Sequence, residues 1–317
     1  MRIIYLGTPE FAVPTLEKLI AWPHGEVVAV VTQPDRPAGR GRHLFAPPTK
    51  LLAEAHSIPV LQPEKLSKSP DVVQAMRDLQ PDIMVMVAFG QILKKEVLTM
   101  APHGVMNLHG SLLPKLRGAA PINWAIINGE THTGNTTMFS DSGVDTGKIL
   151  LKQKVPIGPD MTAEELAETM SVAGAELVIE TLERIRNGTI EPLVQDDSLA
   201  TFAPRLSKDM GQIDWKKSAQ EIHNLVRGLS PWPGTFTLMN GAVLKVVSTR
   251  TVSGSVDGAG TTPGTIVSDS GKVLVACGTT GDDWLELLEV QPPGKARMSA
   301  RDWMNGARLK SGVLVGI

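Results

Sequence analysis

The first half of the chain alternates short apolar runs with segments of helical periodicity. Residues 2–6 form an apolar run that ends at Gly7, a pattern typical of a buried parallel strand. Thr8, Pro9 and Glu10 then supply an N-cap, a proline at the first helical position and a first-turn acid, which predicts a helix to about residue 21. Further strands are predicted at residues 27–32, 83–88, 105–108 and 135–139, and further helices at residues 48–56, 71–79 and 163–187. This alternation predicts an α/β fold, a Rossmann-like open, mostly parallel sheet with helices on both faces.

The pattern changes after Gly188, a natural stop for the long helix. Residues 189–205 show weak periodicity and are interpreted as a linker. Beyond them, a helix is predicted at residues 219–228, and short strand-like runs separated by glycine-rich turns follow at residues 235–239, 243–249, 264–267, 272–277 and 285–290. The sequence therefore predicts an N-terminal domain of residues 1–188 and a small, OB-like C-terminal β-barrel of residues 206–317.

Composition places the chain among ordinary globular proteins. Of its 317 residues, 42% are hydrophobic and 20% are charged, which is enough material for two cores. The single cysteine, Cys277, excludes an intramolecular disulfide framework and a multi-cysteine metal site. The histidines show no metal-ligand spacing, so no metal is expected. We expect no signal peptide, no membrane span and a cytoplasmic location, since no apolar stretch is long enough and cysteine use fits a reducing compartment.

Charge excludes a uniformly basic nucleic-acid coat, because 31 Lys and Arg face 33 Asp and Glu. A local basic patch stays possible: residues 205–317 carry an excess of three positive charges. The loop of residues 32–43 places Arg36, Arg40 and Arg42 on a glycine- and proline-rich scaffold. Such a loop can contact phosphates or an irregular nucleic-acid end, although a solvated surface loop has the same composition.

The densest group of polar residues and glycine lies at residues 107–114, directly after a predicted strand. Ligands gather outside the carboxyl ends of strands in open α/β sheets. Asn107 and His109 are two residues apart, so they project to the same side of an extended segment. An amide can stabilise an oxyanion and an imidazole can move a proton. Spacing alone leaves open that Asn107 merely ends a strand and that His109 is an ordinary turn residue.

A second group, residues 141–147, supplies carboxylates in a tight loop. Asp145 near His109 would favour the protonated imidazole and fix its orientation. Asp145-Thr146-Gly147 occurs only once, which excludes an aspartic protease with its two carboxylates. The chain also lacks the G-x-G-x-x-G of dinucleotide sites and the P-loop of nucleotide triphosphatases, and Ser111 is not in a G-x-S-x-G elbow.

Four stretches carry a resemblance to a known family: residues 32–42, residues 107–114 with Arg117-Gly118-Ala119-Ala120-Pro121-Ile122, residues 141–147, and Ser230-Pro231-Trp232-Pro233-Gly234. Over essentially its full length the chain resembles the methionyl-tRNA formyltransferases. The Asn…His…Asp set is shared by the wider group of formyltransferases that depend on 10-formyltetrahydrofolate, so it indicates the reaction class more firmly than the acceptor. One departure is Phe89, where the family often has tyrosine before Gly90.

The resemblance implies formyl transfer from 10-formyltetrahydrofolate to the α-amino group of methionine on initiator tRNA, by a monomer without a metal. Asn107, His109 and Asp145 would then be catalytic. Residues 1–188 would form the catalytic domain, and the C-terminal barrel would bind tRNA. The implied folate-facing residues are Phe89, Gly90, Gln91, Ile92, Leu93, Ser111, Leu112, Leu113, Pro114 and Asp141, and the implied tRNA-binding residues are Arg36, Arg40, Arg42 and Lys245.

Three alternatives stay open on the residues. A folate-dependent formyltransferase acting on a nucleotide sugar or on glycinamide ribonucleotide would share Asn107, His109 and Asp145 but would need neither the basic loop nor the barrel. A catalytically silent tRNA-binding module would leave those three residues unexplained. A purely structural α/β protein is disfavoured by the polar loops at predicted strand ends.

Overall fold

The computed structural model describes residues 1–38, 43–252 and 261–316. Two compact units divide the chain. The first unit comprises Met1–Pro121, His132–Pro156 and Ala167–Ala203. The second unit comprises Ile122–Thr131, Ile157–Leu166 and Pro204–Ile317. In both units, the described residues are those in the three ranges given first. Residues 189–203, which the sequence suggested as part of a linker, fold with the first unit.

Helices and strands are numbered in chain order. The helices are α1 Val13–Ala21, α2 Pro48–Ala55, α3 Pro70–Asp78, α4 Lys95–Leu98, α5 Pro121–Ile127, α6 Ala163–Arg186, α7 Ala219–Gly228 and α8 Ala300–Gly306. The strands are β1 Arg2–Gly7, β2 Glu26–Val31, β3 Arg36–Ala38, β4 His43–Phe45, β5 Val60–Leu61, β6 Ile83–Val87, β7 Val105–His109, β8 Arg117–Gly118, β9 His132–Phe139, β10 Ile149–Pro156, β11 Phe202–Ala203, β12 Thr235–Met239, β13 Ala242–Thr251, β14 Thr265–Asp269, β15 Lys272–Cys277, β16 Asp283–Gln291, β17 Met298–Ser299 and β18 Val313–Leu314.

The main sheet of the first unit has the order β10-β9-β7-β6-β1-β2-β5. Strands β5, β2, β1, β6 and β7 are parallel, whereas β9 and β10 run antiparallel to their neighbours. The predicted mostly parallel open sheet is therefore confirmed. Strand β1 is apolar and buried on both sides, as a central parallel strand requires. Its side chains divide between two hydrophobic clusters, one containing Ile3 and Tyr5 and the other Ile4 and Leu6.

The start of the first helix differs from the prediction. Pro9 precedes a 3-10 turn at Glu10–Ala12, and α1 begins only at Val13. The Thr8 hydroxyl, expected as an N-cap, instead accepts hydrogen bonds from the Thr32 hydroxyl and the Gln33 backbone N–H. Contacts with the loop after β2 thus replace the local cap.

The second unit contains the predicted barrel, a nearly closed antiparallel sheet of order β12-β13-β16-β15-β14-β18 with β17 on β16. Alternate residues such as Leu244, Val275 and Leu285 point into its core. Helix α7 begins with a capping box in which Ser218 and Glu221 satisfy each other's backbone N–H groups. Among the residues described, no helix is both long and apolar enough to cross a membrane.

Candidate active site

His109 ends strand β7, and its imidazole lies between two fixed groups. On one side, its Nε2 lies 2.9 Å from the backbone oxygen of Leu116. On the other side, its Nδ1 lies 3.6 Å from Oδ2 of Asp145, in the loop between β9 and β10. Only 6% of the His109 side chain and 15% of the Asp145 side chain are exposed. The structure therefore brings together the predicted imidazole and carboxylate in a nearly dry site.

The hydrogen bond to Leu116 determines which nitrogen of His109 carries the proton. A carbonyl oxygen can only accept, so Nε2 must be the protonated nitrogen of the neutral ring. Nδ1 then presents its lone pair toward the Asp145 carboxylate. A proton arriving at Nδ1 would find a negative charge 3.6 Å away. The geometry therefore places a carboxylate oxygen opposite the ring nitrogen that is not committed to the main chain.

The carboxylate of Asp145 is itself held in place by the main chain. Its Oδ2 accepts a hydrogen bond of 2.8 Å from the backbone N–H of Gly118. Gly118 has a φ of +123°, and a Cβ at this position would lie 2.7 Å from the backbone oxygen of Ala203. Glycine is therefore required where this N–H approaches Asp145.

Three of the eight non-glycine residues with left-handed backbone in the described parts of the chain belong to this site or to the strand end beside it. Leu116 has a φ of +59° and Asp145 a φ of +54°, and Ala88, which follows β6, has a φ of +48°. Each such residue costs on the order of 1–3 kcal/mol, which the surrounding structure must offset. Local strain of this kind clusters at binding and catalytic sites.

Asn107 lies two residues before His109 on the same strand, so both side chains project from one face of the sheet, as predicted. Asn107 is 8% exposed. Within the described parts of the chain, its side-chain amide makes no hydrogen bond. A nearly buried amide that keeps its donors uncommitted is suited to bind developing negative charge.

The predicted folate-facing residues after β6 divide by environment. Phe89 packs in a hydrophobic cluster, and its backbone oxygen accepts a hydrogen bond from the Gln33 amide. The Gln91 side chain bonds the backbone of the loop before α3, while Leu93 is buried. Ile92 is 78% exposed, and a Cβ at Gly90 would meet nothing within 4 Å. This loop thus has a buried base and an open, apolar outer side.

The predicted folate-facing residues after β7 form a tight turn that ends in a cis Leu113–Pro114 peptide. Ser111 is buried, and its hydroxyl donates to the Lys115 backbone oxygen, so it is a turn residue here. Leu113 is buried against Met138 and Ile149, whereas Leu112 and Pro114 are half-buried.

Asp141 lies in the loop that also carries Asp145. It is exposed and accepts hydrogen bonds from the Gly143 N–H and the Thr146 hydroxyl. Val144 is exposed. Asp141 therefore shapes the loop on which Asp145 is presented.

Of the predicted tRNA-binding residues, Arg36 lies on the β3–β4 hairpin and forms an exposed ion pair with Glu64. Arg40 and Arg42 lie outside the described residues. Lys245 is exposed on β13 of the second unit. Near the hairpin's first strand, hydrogen bonds from Lys50 and then Gln62 hold the pKa of Asp35 below its usual value.

Sequence reasoning missed two buried polar residues beside the site. Arg117 donates from Nε and Nη2 to Oε1 of Gln195, and Gln195 donates from Nε2 to the backbone oxygens of Asp145 and Gly147. Gln195 lies in the segment that had looked like a linker, where no periodicity marks it. Among the described residues, no group of three or more His, Cys, Asp or Glu could hold a metal ion.

Family models match most of the chain. A model described as formyl transferase matches residues 1–182, and one described as the formyl transferase C-terminal domain matches residues 205–308. The methionyl-tRNA formyltransferase of Geobacter metallireducens is 50% identical, covering 100% of this chain and 99% of that protein. The methionyl-tRNA formyltransferase of Ruminiclostridium cellulolyticum is 48% identical, and the match covers 100% of this chain and 100% of that protein.

Solved structures share the fold. An N-formyltransferase from Helicobacter canadensis in complex with folinic acid and dTDP-3-aminofucose matches with a TM-score of 0.68 at 21% identity, covering 90% of this chain and 98% of that chain. HypX from Aquifex aeolicus in complex with tetrahydrofolic acid matches with a TM-score of 0.60 at 16% identity, covering 96% of this chain and 47% of that chain.

Proposed function

Because the chain belongs to the methionyl-tRNA formyltransferase family of formyl transferases, we propose that it formylates initiator methionyl-tRNA in the cytoplasm, as a monomer. The donor is 10-formyltetrahydrofolate, and the acceptor is the α-amino group of the methionine. The observation that carries the proposal is the full-length match at 50% identity, joined to an intact Asn107, His109 and Asp145 site.

The reaction needs one bond made, one bond broken and one proton moved. The neutral amine attacks the formyl carbon, a C–N bond forms, and negative charge develops on the formyl oxygen. The bond between that carbon and N10 of the folate then breaks. The amine nitrogen loses a proton and N10 gains one, so atoms and charges balance.

His109 and Asp145 serve the proton transfer. Nε2 is committed to the Leu116 carbonyl, so Nδ1 is the ring nitrogen that exchanges a proton with Asp145. Asp145 is the more exposed member of the pair, so it meets the incoming proton first and then stabilises the imidazolium. The same pair returns a proton to N10. Asn107 supplies a hydrogen-bond donor to the oxyanion, a contribution typically worth about 3–4 kcal/mol.

The loops around the site fit a folate co-substrate. A pterin ring needs an apolar contact and backbone hydrogen-bonding groups beside it. Ile92 and Val144 are exposed apolar side chains on two loops of the first unit, and Gly90 leaves open space. We assign the loops of residues 89–93, 111–114 and 141–145 to the folate, with Asp141 shaping the third.

The acceptor is held by two surfaces in this proposal. The sequence segment 34–43, with Arg36, Arg40 and Arg42, contacts the acceptor end of the tRNA, and the barrel, with Lys245, contributes phosphate contacts that fix position. We assign residues 1–188 to catalysis together with residues 189–203, which fold with the same unit, and residues 206–317 to tRNA binding. The Asp35–Lys50 ion pair stabilises the base of the hairpin.

One assay with three acceptors tests the proposal. The protein is incubated with 10-formyltetrahydrofolate and either initiator methionyl-tRNA, elongator methionyl-tRNA or an amino-sugar nucleotide. We expect formylation of the initiator tRNA alone, lost in His109→Ala while that variant stays folded and still binds tRNA. Formylation of the amino sugar without the tRNA would assign the protein to a different acceptor, and near-normal turnover by His109→Ala would refute the proton-transfer role.

A further inference from the structure

Gln195 lies between the loop that carries Asp145 and a buried arginine, and each of its hydrogen-bonding groups is used. Its Nε2 donates to the backbone oxygens of Asp145 and Gly147, both at 2.8 Å. Its Oε1 accepts from Arg117 Nε at 3.2 Å and from Arg117 Nη2 at 2.9 Å. Both side chains are nearly buried. A fully satisfied, buried polar network fixes the positions of its members.

The two carbonyls that Gln195 holds flank the sharpest part of the loop. Asp145 has left-handed backbone, a region that aspartate enters more readily than most residues but that still costs free energy relative to ordinary helical or extended backbone. A Cβ at Gly147 would overlap the backbone oxygen of Phe139, so the chain there has no freedom to shift toward the sheet. The amide of Gln195 therefore determines where the Asp145 carboxylate lies relative to His109.

The same segment of chain also holds the other side of His109. The Thr201 hydroxyl accepts from the Leu116 N–H at 2.9 Å, and the Thr201 backbone oxygen accepts from the Arg117 N–H at 2.8 Å. Strand β11 pairs with β8 immediately beyond. Residues 195–203 thus position both the Leu116 carbonyl at Nε2 and the Asp145 carboxylate at Nδ1.

We infer that Gln195, held by Arg117, is a positioning residue for the His109–Asp145 pair. The kcat measurements that test this inference rest on the proposed function, because they require formylation of tRNA. Gln195 touches no reacting group; it acts through Asp145. The outer partner of Arg117 is Asp197, whose side chain is 82% exposed, and an asparagine there keeps an oxygen that can accept from the guanidinium.

Two variants separate positioning from simple folding. Gln195→Glu keeps an acceptor for Arg117 but loses the donor to the two carbonyls and sets a carboxylate against them. Gln195→Met removes both interactions at similar volume. We expect each to lower kcat about 10- to 100-fold, as misplacement by about 1 Å does, with the KM for tRNA and the melting temperature of Gln195→Glu close to wild type. Asp197→Asn and Gln74→Glu, an exposed glutamine on α3, are matched controls that stay within about 2-fold, as surface changes usually do.

A double-mutant cycle with Asp145→Asn provides the stronger test. If Gln195 acts through Asp145, Gln195→Met costs less than about 3-fold in the Asp145→Asn background, because coupled residues are non-additive. Full additivity of the two effects would overturn the inference, as would unchanged kcat in Gln195→Glu.

A measurement without substrate keeps the two proposals distinguishable. The ¹⁵N shifts of the His109 ring, assigned with His109→Gln, report its protonation and contacts in the free protein. We expect Gln195→Met, which adds no charge, to shift them in the direction that Asp145→Asn does, while Asp197→Asn does not. Absence of formylation by the wild type would refute the proposed function and leave this readout standing; unchanged ring shifts would refute the positioning role even in an active enzyme.

Discussion

Replacing Asp145 with asparagine removes the negative charge from the pair and keeps the size of the side chain. Nδ1 of His109 and Oδ2 of Asp145 are 3.6 Å apart, and two unit charges at that distance attract by about 4.6 kcal/mol at an effective dielectric constant of about 20. Partial exposure and charge that is incomplete in the transition state reduce this to about 2–3 kcal/mol, or roughly 30- to 150-fold in kcat.

The assay is steady-state formylation of initiator methionyl-tRNA with folate at saturation, with kcat and KM measured separately. We expect kcat to fall and KM for tRNA to stay near its wild-type value, since the charge acts on proton transfer and not on tRNA binding. Asp78→Asn, which removes an exposed carboxylate on α3, is the control and should leave kcat unchanged. A kcat for Asp145→Asn within about 3-fold of wild type would mean that the carboxylate does not stabilise the protonated ring, because even 1 kcal/mol exceeds that factor.

Four further outcomes are expected. Asn107→Ala should lower kcat by about 10²- to 10³-fold, since one oxyanion donor is lost, and its circular dichroism spectrum should match that of the wild type. A kcat within about 5-fold of wild type, well below that range, would show that Asn107 does not stabilise the oxyanion. Leu285→Ala, at a fully buried barrel position, should cost about 2–5 kcal/mol in denaturant unfolding, and a cost below about 1 kcal/mol would show that the site collapses around the cavity. Burial lowers the pKa of His223, so near this pKa the folded protein binds fewer protons at the residue than the unfolded chain does. The neutral, buried ring therefore contributes its full share to the free energy of unfolding above about pH 6.5, and that share is lost as the pH falls below this value. Unfolding measured from pH 7.5 to pH 5 should therefore weaken less in His223→Gln, and parallel curves for the two proteins would contradict the assignment. Lys245→Ala should reduce the salt dependence of tRNA affinity by about one unit of slope and affect different tRNAs equally; an effect on initiator tRNA alone would indicate a specific contact instead.

The strands that sequence predicted well are those in which local preference and burial agree. Strands β1 and β6 are continuous apolar runs between two helical layers, so their pattern has one interpretation. Strand β10 was not predicted because it lies at the edge of the sheet and alternates exposed Lys152 and Lys154 with partly buried neighbours. The 3-10 turn before α1 likewise depends on the Thr8 hydroxyl meeting the loop after β2, a contact that local sequence does not contain.

The candidate site was predictable to the extent that side chains identify it. Asn107 and His109 have a spacing on one strand that implies one face, and Asp145 belongs to a conspicuous acidic loop. The groups that hold His109 and Asp145 in place cannot be recognised from residue type, because the Leu116 oxygen and the Gly118 N–H are backbone groups that every residue could supply. Arg117 and Gln195 are 78 residues apart, and their pairing exists only once β8 and β11 are aligned. Single-sequence periodicity contains no information on such a pair.

Gly118 has a consequence for how variation in this protein is interpreted. In a library in which every position is mutated and scored for growth dependent on activity, position 118 would tolerate no other amino acid, and it would rank beside His109 although it contributes no side chain. Its N–H orients Asp145, and its lack of a Cβ lets the chain pass the Ala203 carbonyl. Essentiality at this position reflects the path of the main chain, so a map of intolerant positions would overcount the groups that perform chemistry.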